Sequence, residues 1–105
     1  TFPATGWWYV EFVCVYNPLF NSTSASGGYI RYTIDNSSYN AVTFEGNGAS
    51  DDTYTTHSYN SVLLKVTDLT NCKVSFSLEP VGTTTWYGHS TKNKTYMTFT
   101  RLGDI

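Results

Sequence analysis

The residues able to do chemistry are few. His57 and His89, Asp51 and Asp52, and hydroxyls such as Ser58 and Ser90 could supply a base, an orienting carboxylate and a nucleophile. Such a triad needs three groups converging in space, and nothing in their spacing forms a local signature of the nucleophile-elbow kind. His57 in a polar stretch and His89 beside Gly88 read most simply as solvated side chains, so no enzyme activity is expected. The two histidines also lack the partner spacing of a zinc site, and neither a metal nor a cofactor is expected. Calcium held by Asp51, Asp52 and backbone carbonyls competes with the simpler reading of a solvated loop. Binding has better material. Trp86 and Tyr87, between Gly82 and His89, offer flat apolar ring faces for a sugar, with His89, Asn47 and Asp51 as polar partners if loops gather at one end. The plainer alternative has Trp86 filling core or a subunit seam.

Whatever positions these side chains is built of strands. Residues 7–16 form an almost unbroken apolar run in which Trp8, Val10, Phe12, Cys14 and Tyr16 share one face, and Trp7, Tyr9, Glu11, Val13 and Val15 the other. That pattern predicts core on one side and a second subunit or a covering loop on the other. A polar loop over 19–26 ends at Gly27-Gly28, before a strand over 29–35 with Ile30, Tyr32 and Ile34 on one face. Residues 35–38 predict a turn, 39–45 a short strand, 46–52 a loop, and 53–59 a weak strand polar enough for a sheet edge. Strands follow over 62–66 and 72–78, the second with Val74, Phe76 and Leu78 inward. Residues 81–89 read as a strand or an exposed loop. The last strand, 96–102, carries no Gly or Pro and is expected in the middle of a sheet. No window shows a helical period, so the chain predicts an all-β antiparallel sandwich or jelly roll without substantial helix.

At 105 residues the chain is one domain, 1–105, because halves of it would be too small to bury a sizeable core. Aromatics make up 17% of residues and charged residues only 13%, about half the usual share, which suits a subunit interface or a sugar-contacting face. A net charge of -2 with six scattered Lys and Arg excludes an electrostatic nucleic-acid binder. No apolar run is long enough to insert in a membrane as a helix. Cys14 and Cys72 could form one disulfide or remain two buried thiols, and spacing leaves the choice open. Three Asn-x-Ser/Thr patterns, at Asn21, Asn36 and Asn93, are best explained by chance in so Asn-, Ser- and Thr-rich a chain.

The order of segments resembles the TNF-like and C1q-like jelly roll, in the form found as heads at the ends of bacteriophage tail fibres and tailspikes. Gly6-Trp7-Trp8-Tyr9-Val10 is similar to that family's G-x-Y-x-V early strand. Ser61-Val62-Leu63-Leu64-Lys65-Val66, a polar turn and Val74-Ser75-Phe76-Ser77-Leu78 resemble its paired aliphatic strands, although Asn71-Cys72 stands where the family has Gly-Asp. Thr95-Tyr96-Met97-Thr98-Phe99-Thr100-Arg101-Leu102-Gly103 resembles the closing T-Y-x-x-x-x-R-L strand. The resemblance implies a C-terminal head of a longer protein, which the absence of an initiator Met at Thr1 also suggests. It further implies a homotrimer joined to an upstream fibre or tailspike region, located on a virion or outside the cell. Trp7, Tyr9, Tyr96, Met97 and Phe99 would form the trimer interface, and a host-surface glycan would be the partner recognised. Two alternatives are a trimerisation domain that sets the register of a longer fibre and a monomeric carbohydrate-binding module.

Overall fold

A computed structural model describes the backbone of residues 1–18, 22–49, 55–79 and 84–105 and, within these, the side chains other than those of 18, 22–25 and 47–49. Seven strands are present: β1 (Gly6–Pro18), β2 (Ser22–Thr33), β3 (Asn40–Ala49), β4 (Thr56–Val66), β5 (Lys73–Glu79), β6 (Thr84–Trp86) and β7 (Tyr96–Gly103). They form two antiparallel sheets. In sheet A, β4 runs along one edge of β1, while β7 and then β6 pair end to end along the other. Sheet B has the order β3-β2-β5. The all-β sandwich expected from the sequence is present, with no helix among the described residues.

β1 is the axis of the molecule. Thirteen residues at about 3.4 Å each span roughly 44 Å, close to the 46 Å length of the protein. Its even-numbered row, Trp8, Val10, Phe12, Cys14 and Tyr16, is buried as alternation predicts. The row packs on Ile30 of β2 and on Phe76 of β5, whose ring lies 5.1 Å from that of Phe12. The odd row is only half-covered, and Lys65 lies over the Trp7 ring at 5.8 Å.

Several expectations change. The polar stretch 53–59 and the apolar stretch 62–66 are not two strands; residues 56–66 form the single β4, paired with β1 without interruption from Tyr16↔Thr56 to Gly6↔Val66. Its polar residues are not at a solvated edge. Ser58 and Asn60 point inward and are bonded there, Ser58 to the Cys14 thiol at 2.8 Å and Asn60 Nδ2 to the Gly28 carbonyl at 3.1 Å. β2 begins at Ser22, so Gly27 and Gly28 lie within a strand. Gly28 is needed for close approach, since a Cβ there would come within 2.6 Å of Phe12 Cε2 and 3.2 Å of Cys14 Sγ. β2 ends at Thr33, leaving Ile34 exposed in the turn. Of the stretch 81–89, read as a strand or an exposed loop, residues 81–83 lie outside the described residues, 84–86 form β6 and 87–89 are not strand, while Leu78, expected inward, is exposed near the end of β5. Both cysteines are buried free thiols.

The terminal strand is also corrected. Among the described residues β7 pairs with β1 alone and lies at the edge of sheet A. Phe99 is still anchored, with its ring 6.0 Å from Phe2 and 5.8 Å from Phe76. Phe2, which the sequence offers only as part of a lead-in, is a core residue stacked on Trp8. The indole of Trp8 donates to the Ala4 carbonyl and holds that lead-in in place.

At one end of the sandwich two side-chain-capped turns meet. Asp35 accepts from the Ser38 amide, the Thr33 hydroxyl and the Ser37 amide, at 2.7, 2.7 and 2.9 Å, while Asn36 adopts φ 60, a left-handed conformation Asn tolerates. Asp68 accepts from the Thr70 amide and from the Asn71 side chain and amide. The Asn36 amide donates to the Asn71 carbonyl and joins the two turns.

Two outcomes test this packing. Gly28→Ala should lower unfolding stability by about 1–3 kcal/mol through overpacking, whereas Gly88→Ala, with nothing within 4 Å of the new methyl, should change it by less than about 0.5 kcal/mol; urea titration of both variants measures the contrast. The hydrogen bonds to Asp35 hold its carboxyl well below the usual carboxylate range, and those to Asp68 lower it likewise. A folded-state value below the unfolded one makes the stabilisation complete above about pH 4 and progressively lost below it. The melting temperature should therefore fall on acidification below that value, with a shallower slope in the Asp35→Ala, Asp68→Ala double variant.

Candidate interaction surfaces

Of the residues that could have formed a catalytic set, His57, Ser58, His89 and Ser90 are described, on the two faces of β4 and in the segment before β7. His57 is on the exposed row of β4 and Ser58 on the buried row, as alternation requires of neighbours in a strand. His89 is exposed in the segment before β7, where its Nδ1 lies 3.1 Å from the Thr91 amide and accepts from it. Ser90 beside it is exposed, and Asp51 and Asp52 lie outside the described residues. Among the described residues there is no cluster of three potential metal ligands and no enclosed pocket.

Of the expected sugar-binding group, Trp86, Tyr87 and His89 lie among the described side chains. The Trp86 ring is half-buried and packs 4.8 Å from that of core Tyr16, so its face is used inside the fold. Tyr87 is tied by its amide to the Val15 carbonyl, and Lys94 lies over its ring at 5.8 Å. The Asn47 side chain and Asp51 lie outside the described residues.

The five residues expected at a trimer interface divide by the parity of their strands. Trp7, Tyr9 and Tyr96 stand on the outer face of sheet A, while Met97 and Phe99 have cross-strand partners Phe12 and Val10 on the inner row. Phe99 thus serves the core even though it remains 42% exposed at the sheet edge.

The outer face of sheet A is the broadest aromatic surface described. β1 contributes Trp7, Tyr9, Glu11, Val13 and Val15, and register sets Lys65, Leu63, Ser61, Tyr59 and His57 of β4 opposite them. Tyr96, Thr98 and Thr100 of β7 flank the other edge. Leu63 and Leu102 are 52% and 61% exposed. At its centre, the Tyr59 hydroxyl donates to Glu11 at 2.6 Å and lies 3.0 Å from the Tyr9 hydroxyl. The Glu11 carboxylate, followed by the bond from Tyr9, pushes the Tyr59 phenol above its ordinary range, because a phenolate there would face a second negative charge. Reading each strand by itself misses Tyr59 and Leu63 as parts of this face. The signal that finds them is the alternation of 56–66 taken as one strand.

The outer face of sheet B is smaller and differently made. Tyr29 and Phe44 are cross-strand partners with rings 4.7 Å apart. The Arg31 guanidinium lies 4.8 Å over the Tyr29 ring, and its Nε donates to the Ser77 hydroxyl at 3.2 Å.

Tyr59 should ionise at higher pH than a free phenol, and Glu11→Gln should bring it down. Ultraviolet titration of wild type and Glu11→Gln, each compared with its Tyr59→Phe counterpart, reads that difference. No family model matches the chain, and no curated protein or solved structure matches it either.

Proposed function

We propose that this sandwich is the head of a trimeric phage or viral fibre or tailspike, a jelly-roll-like module that recognises a host-surface glycan without catalysing a reaction. Three copies meet through the outer face of sheet A. The observation that carries this reading is that face itself: Trp7, Tyr59, Leu63 and Leu102 leave 36–61% of their surface exposed, with Glu11 and Lys65 the only residues of fixed charge among those the register places there. Exposed apolar surface of this extent marks an interaction site more often than a solvated face. Three strands about 4.8 Å apart and on the order of 30 Å long present roughly 450 Å² of flat area. Two copies in contact would then bury about 1,000 Å², the lower limit for a specific interface. In a ring of three each copy divides this face between two neighbours, so the strand edges beside it must complete each contact.

Strand-face assembly also accounts for the low charge of the chain and for the resemblance of its first and last strands to fibre heads. The test is mass in solution. Three copies of 11.8 kDa give about 35 kDa, and light scattering should find that species at micromolar concentration. Leu63→Asp should convert it to a folded monomer, because Leu63 lies outside the core and a buried unpaired carboxylate at the seam is costly. A wild-type chain that remains a monomer would overturn the assembly reading.

A further inference from the structure

The outer face of sheet B carries a cation that is already held in place. Arg31 sits on the central strand of that sheet, with Tyr29 and Thr33 on its own row and Ala41 and Ser75 opposite it on the flanking strands. None of these four neighbours is charged. Two restraints act on the guanidinium, the Tyr29 ring beneath it and the Ser77 hydroxyl accepting from Nε. Among the described residues no carboxylate is within ion-pair distance of it; the one ion pair there joins Arg101 and Asp104. Glu79, on the same row of β5, lies opposite Gly27, four residues and about 13 Å along the strand.

Beside this cation lies an uncovered aromatic surface. Phe44 is 47% exposed and leans against Tyr29 with 34° between the ring planes. An aromatic face complements the C–H face of a sugar ring, while a pre-positioned guanidinium complements a carboxylate at little further entropic cost. One held cation with only Lys73 near it on the row suits a single negative charge better than a polyanion, which needs several cations in line. We propose that Tyr29, Arg31 and Phe44 form a binding site for a carboxylate-bearing sugar ring, such as a uronic or sialic acid residue of a surface polysaccharide. The proposal rests on the reading of the chain as a glycan-recognising head, and it names the ligand class and moves the site from the end loops to a sheet face. It also places recognition on the side of the sandwich opposite the assembly face.

The experiment titrates the intact chain, followed by NMR chemical-shift changes, with glucuronic, galacturonic and N-acetylneuraminic acids. Glucose, acetate and inorganic phosphate serve as separate arms. The acidic sugars should shift the amides of residues around 29–31 and 44, glucose should bind at least about tenfold more weakly, and so should acetate, which lacks the ring. Arg31→Gln should weaken acidic-sugar binding by about tenfold or more, and Phe44→Ala should weaken it while sparing the response to acetate. Because Phe44 is exposed, that variant tests the site even if Arg31→Gln perturbs the fold. The proposal is overturned by no shifts up to about 10 mM ligand, by equal binding of glucose, by acetate or phosphate binding as well as the acidic sugars, or by Arg31→Gln binding unchanged. Mass is measured on the same samples. A trimer that ignores acidic sugars defeats this inference alone, and a monomer that binds them defeats the assembly reading alone.

Discussion

One strand paired along both edges governs this structure. β1 supplies half the core from its even-numbered row and the middle of sheet A from its odd-numbered row, so its alternation must be respected by every element that touches it. A shift of one residue would turn Trp8, Val10, Phe12, Cys14 and Tyr16 outward and bring Glu11 inside. What holds the register is shape as well as hydrophobicity. The backbone of sheet B comes close to β1 at Gly28, where Phe12 and Cys14 occupy the space a side chain would need.

The same contact explains the polar interior. Where Gly28 presents bare backbone to the interior, Asn60 reaches across from sheet A to donate to its carbonyl. Ser58 bonds the Cys14 thiol beside it, and burial raises the pKa of that thiol despite the serine. Further along, the Tyr16 hydroxyl donates to the Ser26 carbonyl at 2.6 Å. The Asn60–Gly28 and Tyr16–Ser26 bonds tie the two sheets to one relative position, while the Ser58–Cys14 bond lies within sheet A.

The two outer faces of the sandwich differ in chemistry. Sheet A presents a wide aromatic and aliphatic surface whose one carboxylate is engaged by Tyr59. Sheet B presents a narrow ring pair and a restrained guanidinium. A sandwich only 18 Å in its shortest dimension keeps these faces close yet pointed in opposite directions. Assembly on one and recognition on the other would not compete, and three copies would repeat the weak recognition site, which raises avidity without a deeper pocket.

How much of this was legible depends on the range of the forces concerned. Alternation is a local property of the backbone, so the buried row of β1, the inward Val74 and Phe76, the Asp35 turn and the all-β class were determined by the sequence alone. The break between 53–59 and 62–66 was misleading because polarity at Ser58 and Asn60 signals solvent unless a partner is known, and their partners come from residues 44 and 32 positions away. Phe2 gave no local signal, since its burial depends on Trp8 and Phe99 at opposite ends of the chain. The candidate sites followed the same division. Whether Trp86 packed on Tyr16, whether Phe99 met Phe2 and Phe76, and whether Arg31 met Tyr29 and Ser77 were decided by the tertiary structure. Each depends on which strands become neighbours, and strand pairing joins residues that the chain itself keeps far apart.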